Sequence, residues 1–456
     1  MSVSTTTTEH LEKKLTFWHV WALGVGAVVG DGIFLMVAQG AMVAGPAALV
    51  SYLITGILLG IVCMAISELS VAIPGAGSLH LWSERVLGPA WGVLAALCEV
   101  VMNIVFLGTV TMASGSFGTY FFQFGSDPMM SSLLWAVIFL TFVLAICLSG
   151  GEFTGKVQLI MVALLVLIMI AFSVAGFLSG QVKSENFTPF APFGVSGIWA
   201  ALGMGVYAFL GPMTLLTASG ELKDPNSMPK IMFWTFVMIL VLYVTAMAVM
   251  LGIVSYTEYG VVESPFALAA SVVFGGAAGQ IVNFAAWLAA VTCLVGEVFS
   301  PSRLLYGMAE DGVVPKVFAK LNSKKVPWVG MVVAYVIALV FVFGAFLVDL
   351  ESFYVVLGMV ACVLGSLTIL ISLVSSMLYK HKFPEEYAKL AWRLPVRWIM
   401  YPLSFAGTLL LIYSILESSH SATIYTSIVT IALILLFYRF YSLPRLKIKH
   451  QGGKLD

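Results

Sequence analysis

The chain has 456 residues, of which 61% are apolar and only 10% are charged, and its basic and acidic residues balance at 22 each. A soluble domain carries about 25% charged residues, so this composition excludes an ordinary soluble protein. A disordered chain is excluded as well, because it needs low hydrophobicity and high net charge. The neutral balance also argues against a nucleic-acid partner. The remaining class is an all-α integral membrane protein.

Apolar stretches long enough to cross a bilayer as a helix recur twelve times along the sequence. Turn-forming pairs such as Gly45-Pro46, Pro74-Gly75 and Asp127-Pro128 separate them. The third and eighth stretches are longer than one bilayer needs, so we expect them to tilt or to extend beyond it. The predicted spans are, to within several residues, about 18–42, 45–72, 87–122, 131–149, 156–179, 198–220, 230–254, 279–309, 327–348, 351–379, 398–416 and 422–441.

The distribution of Lys and Arg predicts the orientation of these spans. If both ends of the chain are cytoplasmic, 21 of the 22 basic residues lie on the cytoplasmic side and Lys183 alone lies outside. Cytoplasmic segments of membrane proteins are enriched in such residues. We therefore predict a multi-pass protein of the cell membrane with a disordered cytoplasmic tail at 1–16 and a second cytoplasmic tail at 442–456. The basic residues from Arg439 to Lys449 are expected to contact anionic membrane lipid.

Two predicted spans contain residues that interrupt a helix in the middle of the membrane. The first holds Gly30-Asp31-Gly32, and the sixth holds Gly211-Pro212. Unwound backbone at membrane depth is tolerated only where it lines a cavity or is buried in protein. Matched interruptions in two halves of a chain indicate the central site of an inverted-repeat transporter. The alternative is helix packing, since glycine permits close approach and single prolines are tolerated in membrane helices.

Four motifs in the same order resemble those of amino acid–polyamine–organocation permeases. The resemblance implies two inverted repeats of five helices, at 17–180 and 181–380, followed by two further helices at 381–441. It also implies alternating access around a central site and two broken helices, the first and the sixth. The motifs are residues 24–34, Glu68 with Pro74 to Ser78, Tyr207 to Gly211 followed by Glu221 and Asp224-Pro225, and residues 302–315.

Asp31 departs from the first-helix motif of that family, where Ser, Ala or Thr is usual and backbone N–H groups bind the substrate carboxylate. A carboxylate at this position would repel an acid group and attract an ammonium group. Glu297 matches a position that, in related arginine/agmatine antiporters, holds an aromatic residue facing the far end of the substrate. Two acids at opposite ends of one pocket favour a diamine, a polyamine or a decarboxylated amino acid.

The other reading is a permease or exchanger for neutral or cationic amino acids, with Asp31 protonated or turned away. The resemblance places Gly30, Gly32, Asn103, Tyr207 and Gly211 beside the substrate in either case. Tyr207 matches an aromatic gate, where a cation over the ring gains about 0.5–2 kcal/mol.

The coupling mechanism stays open at this point. Candidate coupling residues are Glu99, Ser300 and Ser302. Proton-coupled members of the family carry a lysine in the fifth helix, and the matching position here is read as Leu165. The site therefore resembles the exchangers more than the proton symporters. Asp31 or Glu297 could still carry a proton, since burial favours the protonated form of a carboxyl group, so exchange and proton coupling remain alternatives. The sequence holds no catalytic motif and implies no cofactor, so an enzyme is not expected; the oligomeric state is left open.

Overall fold

The computed structural model describes residues 11–30, 32–261, 264–345 and 350–450. These residues form an all-helical bundle, as expected where lipid forces every backbone polar group to be satisfied internally. The helices are α1 (Phe17–Val28), α2 (Val37–Ala44), α3 (Ala48–Ala72), α4 (Ser78–Leu87), α5 (Pro89–Thr119), α6 (Pro128–Leu148), α7 (Gly151–Leu178), α8 (Gly194–Phe209), α9 (Met213–Thr217), α10 (Met228–Ile253), α11 (Pro265–Phe274), α12 (Gly276–Glu310), α13 (Trp328–Ala345), α14 (Leu350–Lys382), α15 (Pro384–Ala388), α16 (Arg397–Ser418), α17 (Ser421–Phe437) and α18 (Leu443–His450).

The first predicted span is divided. Helix α1 ends at Val28, and the chain becomes helical again as a wider π turn over Gly32–Met36 that leads into α2. Asp31 lies outside the described residues. After α2 the chain turns at Gly45, whose φ of 64° suits glycine, and continues through Pro46 into α3.

This division changes the count of spans. Within the described ranges, eleven helical runs are long and apolar enough to cross a membrane, whereas twelve were predicted. The difference arises because the second half of the first predicted span and the whole second span form one helical run, Gly32–Ala72, of 41 residues. The first half of the first span, Phe17–Val28, is a separate helix that is too short to count. Every other predicted span contains helix whose outer ends lie within about five residues of the prediction.

The sixth predicted span is broken as expected. Helix α8 ends at Phe209, Leu210 is extended with ψ of 154°, and Gly211 has φ of 115° before the chain enters α9. Pro212 has no backbone N–H and therefore cannot continue the hydrogen-bond ladder of α8. The local chemistry of this Gly-Pro pair accounts for the break.

Two long helices form the frame around these breaks. Helix α5 has 31 residues and α12 has 35, and the two pack against each other. Helix α12 also contacts α1, α7 and α13, and its apolar and small residues are buried along almost its whole length. Both helices exceed the roughly 20 residues that span a bilayer, as predicted.

Both described ends of the chain dock at one end of the bundle, which we call the terminal end. The Leu15 amide donates to the Glu221 carbonyl (2.9 Å), and the Ser442 hydroxyl donates to the Val313 carbonyl (2.7 Å). Leu15 is fully buried, which corrects the predicted disorder of residues 1–16 at its last residues. The predicted tail at 442–456 likewise begins as helix α18, with Leu446 buried.

Candidate functional site

The two helix breaks lie directly against each other. A Cβ atom added to Gly211 would stand 2.5 Å from the Ala27 carbonyl oxygen, and one added to Gly32 would stand 2.8 Å from Ala208 Cα. Real side chains do not approach backbone this closely, so both positions require glycine. The glycines that interrupt the helices therefore also allow the interruptions to meet.

One tyrosine on α10 joins both breaks. The Tyr243 hydroxyl lies 3.0 Å from the Val28 carbonyl oxygen and 3.2 Å from the Ala208 carbonyl oxygen. Its single proton is shared between two carbonyl groups at the ends of α1 and α8. Tyr243 is almost fully buried and packs on the ring of Phe209, with the centroids 5.0 Å apart. Helix α10 thus holds the two broken helices in register.

Helix α12 forms a further wall of the same region. The Cys293 thiol lies 3.5 Å from the Ala27 carbonyl oxygen and would be 2.9 Å from a Cβ atom on Gly30. One turn further, a Cβ atom on Gly296 would meet Ala27 Cβ at 2.8 Å. Glu297 follows Cys293 by four residues, so it shares the face that is turned towards α1, and it is only 1% exposed.

A glutamine on α7 that the sequence interpretation missed contacts the same region. Gln158 is fully buried, its amide Nε2 donates to the Thr292 carbonyl (2.9 Å), and it fills the space beside Gly26. The residue matched to the family's fifth-helix lysine was Leu165, two helical turns away. Gln158 reaches both α1 and α12, and the match of Leu165 to the lysine position stays a prediction. The available signal was a carboxamide in an otherwise strongly apolar stretch, since a buried polar group needs a partner.

Tyr207 lies at the end of α8, beside the first break. A Cβ atom on Gly32 would be 3.1 Å from its ring, its hydroxyl lies 3.2 Å from that of Tyr354, and its ring packs on Phe106 with centroids 4.8 Å apart. A small cavity of about 60 Å³ adjoins the two tyrosines, and its wall is otherwise mainly apolar. Its lining includes Met36, Met204, Val355 and Met359.

Glu99 and Asn103 form a buried pair on α5. The Asn103 amide donates to Glu99 Oε1 (3.2 Å) and to the Glu99 carbonyl (2.6 Å), while Glu99 Oε2 has no hydrogen-bond partner in the described part of the chain. Both side chains are fully buried. Their neighbour Met102 and the break residue Leu210 both lie against Gly365 of α14. The pair therefore sits beside the break in the sixth span.

The two candidate coupling serines have different surroundings. The Ser302 hydroxyl donates to the Phe299 carbonyl (2.7 Å) and accepts from Arg303 (3.1 Å), so its hydrogen bonds are local to α12. The Ser300 hydroxyl is buried and has no hydrogen-bond partner within the described ranges. Of the two, only Ser300 keeps its oxygen uncommitted.

A buried ion pair lies between these helices and the terminal end. Arg303 Nε donates to Glu221 Oε1 (2.7 Å), and the guanidinium stacks on the Phe299 ring, 3.6 Å from its centroid. The Arg303 side chain is fully buried. Because Glu221 follows α9 and its carbonyl also binds Leu15, one residue connects the end of the broken sixth span to α12 and to the N-terminal segment. A polar cavity of about 390 Å³ opens beside Glu221, lined also by Lys14, Glu152, Lys156 and Lys324.

The structure therefore brings most of the predicted residues to one place. Gly30, Gly32, Tyr207 and Gly211 meet where the two breaks touch, and Glu297 lies on the α12 face turned towards them. Asn103 and Glu99 lie beside this region on α5. Polar groups, a tyrosine pair and two helix ends thus converge inside an apolar bundle, which is an arrangement suited to binding a small molecule.

Comparisons with known proteins agree with this arrangement. A family model described as "Amino acid permease" matches residues 15–437. A branched-chain amino acid permease of Lactococcus lactis subsp. cremoris is 27% identical, over 89% of this chain and 90% of its own. A D-serine/D-alanine/glycine transporter of Escherichia coli is 27% identical over 86% of each chain. A gamma-aminobutyric acid permease of Bacillus subtilis is 28% identical over 70% of this chain and 69% of its own.

These matches confirm the family suggested by the four motifs, a multi-pass location in the cell membrane, and transport rather than enzymatic activity. They favour amino acids over amines as the class of substrate. The match runs through both broken spans, α5 and α12. The chain belongs to the amino acid permease family.

Proposed function

We propose that this permease carries a small amino acid without net charge, bound where the breaks of the first and sixth spans meet. The observation that carries the proposal is the direct contact of the two breaks at Gly32 and Gly211. The helical run that restarts at Gly32 begins with backbone N–H groups that have no helical partner and that favour an anion. In this proposal the substrate carboxylate binds to these N–H groups. The membrane orientation stays as predicted, with both ends of the chain in the cytoplasm.

The region around Tyr207 supports a substrate with a small apolar side chain. The cavity beside Tyr207 and Tyr354 is lined largely by methionines and valine. The names of the relatives point the same way, since they specify branched-chain amino acids, D-serine, D-alanine and glycine, and gamma-aminobutyric acid. All of these substrates carry one acid group and one amino group.

Uptake into proteoliposomes tests the proposal. Labelled leucine, alanine and gamma-aminobutyric acid are offered with putrescine, cadaverine and agmatine as competitors. We expect at least one amino acid to be taken up and the amines to compete weakly. Preferential uptake of an amine, with no competition by amino acids, would contradict the proposal.

The second candidate function is transport of an organic amine. Asp31, which is expected from the sequence to face the substrate, and the buried Glu297 on α12 favour it, because two acids at opposite ends of a substrate would suit a dication. Asp31→Ser separates the two functions: it abolishes amine uptake but spares or widens amino-acid uptake. Asp127→Ser is the matched control, because it removes an acid at the start of α6, where serine still caps the helix.

We propose further that Glu99 carries a coupled proton. A carboxylate cannot stay charged in an apolar interior without a cation, and the hydrogen bond of Glu99 comes from a neutral amide. Glu99→Gln should abolish the stimulation of uptake by an inward proton gradient, while exchange of internal for external substrate continues. Glu99→Asp, which keeps the carboxyl group, is the control. Gradient-driven uptake by Glu99→Gln would exclude this role.

A further inference from the structure

A separate cluster of titratable side chains lies at the terminal end. His80 and Glu84 are one turn apart on α4, and Asp311 directly follows α12. His80 Nε2 lies 3.1 Å from Glu84 Oε2 and 3.5 Å from Asp311 Oδ2. The His80 side chain is fully buried, whereas the side chains of Glu84 and Asp311 are 25% and 31% exposed. The cluster is thus open to solvent from the side of its two acids.

We propose that His80, Glu84 and Asp311 bind a divalent transition-metal ion, with zinc as the best fit. Atoms that coordinate zinc at about 2.1 Å with tetrahedral geometry lie about 3.4 Å apart. The observed separations of 3.1 and 3.5 Å bracket that value, and the three ligand atoms lie within 4.8 Å of one another. One nitrogen and two carboxylate oxygens suit zinc and leave a fourth position for water.

The surroundings of His80 Nε2 support this reading. Nε2 faces both carboxylates at ion-pair distance, whereas Nδ1 has no hydrogen-bond partner among the described residues. A metal ion held by Nε2 and the two carboxylates would balance the negative charge of the two acids.

The position of the cluster suggests what the ion does. Helix α4 packs backbone to backbone on α12 where Gly77 meets Gly307. Just before α4, the Gly75 amide donates to the Ser219 hydroxyl (3.3 Å), and that hydroxyl lies 3.1 Å from the Gly75 carbonyl. Ser219 follows α9, the second half of the broken sixth span. Zinc would therefore fasten α4 to α12 beside a segment that alternating access must move, and would slow transport.

Zinc binding is measured by titration calorimetry on the purified full-length protein after treatment with a chelator. We expect one zinc ion per chain, with much weaker binding of magnesium and calcium. His80→Gln and Asp311→Asn should each weaken zinc binding by more than about tenfold. Cobalt gives a second readout, because its visible absorption spectrum reports a tetrahedral site without any transport assay.

Two variants are matched controls. Glu310→Gln removes the acid next to Asp311. Glu310 accepts a hydrogen bond from Tyr306 (2.7 Å) and is not part of the cluster. His381→Gln removes an exposed histidine elsewhere at the end of α14. Neither should change zinc affinity. Gel filtration of each variant checks that the fold is retained.

Several results would overturn the inference. Absence of zinc binding tighter than about 100 μM, or unchanged binding in both His80→Gln and Asp311→Asn, would leave the cluster as an ion pair only. Loss of binding in His381→Gln would indicate a surface site. The effect on transport rests on the proposed function: zinc should slow uptake by the wild type but not by His80→Gln. Zinc that binds without slowing a measurable uptake would refute the regulatory role alone.

Discussion

Replacing Gly211 with alanine should disable transport by forcing the two breaks apart. Gly211 has φ of 115°, where an alanine costs about 1–2 kcal/mol relative to glycine. The new methyl carbon would also stand 2.5 Å from the Ala27 carbonyl oxygen, so the two segments must separate by roughly 1 Å. Overpacking of this kind costs about 1–3 kcal/mol. The total loss of stability should be about 2–5 kcal/mol.

Gly275→Ala isolates the contribution of the contact. Gly275 lies between α11 and α12 with φ of 85°, but nothing lies within 4 Å of a Cβ atom built there. It therefore carries the backbone cost of about 1–2 kcal/mol without the collision. Thermal unfolding in detergent and uptake into proteoliposomes are measured for both variants. If Gly211→Ala were no worse than Gly275→Ala in both assays, contact between the breaks would not matter for function.

Three further substitutions test the surroundings of the breaks by the same two assays. Tyr243→Phe removes the hydroxyl shared by two carbonyl groups, so stability should fall by about 1–2 kcal/mol and uptake should fall with it; unchanged uptake would argue against a joining role. Gln158→Leu removes the donor to the Thr292 carbonyl and should slow uptake strongly while lowering the unfolding temperature only slightly. A lower unfolding temperature with unchanged uptake would indicate a packing role alone. Glu221→Gln leaves the Arg303 guanidinium charged and buried, costing about 3 kcal/mol, whereas replacing both residues with methionine should restore most of the stability. A double variant as unstable as the single one would show that the ion pair itself is needed.

The breaks were predictable from sequence because their causes are local. Gly211 and Pro212 cannot continue an α-helix by their own chemistry, and glycines flank the break in the first span. Glu99 and Asn103 are four residues apart, which places them on one face of any helix. Their pairing follows from that spacing, although their position beside Leu210 does not.

Other features could not be predicted because they depend on distant parts of the chain. Helix α7 is largely apolar on every face, so periodicity does not show which side meets α1, and the contact of Gln158 with the Thr292 carbonyl could not be predicted. His80 and Asp311 come together only because α4 packs on the end of α12. In the described part of the chain the number of spans is eleven rather than twelve because the chain stays helical through the turn at Gly45. The second half of the predicted first span and the second span therefore join there into one helical run, Gly32–Ala72.

The contact between α1 and α12 has a consequence for motion. Near the end of α1, Gly30 would meet Cys293 and Gly296 would meet Ala27 if either glycine carried a Cβ atom, so small residues form the contact with α12 at these points. Helices usually interlock because ridges of side chains occupy grooves on their neighbours. A contact between small residues has shallow ridges, so it should resist sliding or tilting of the end of α1 less than an interlocked contact would.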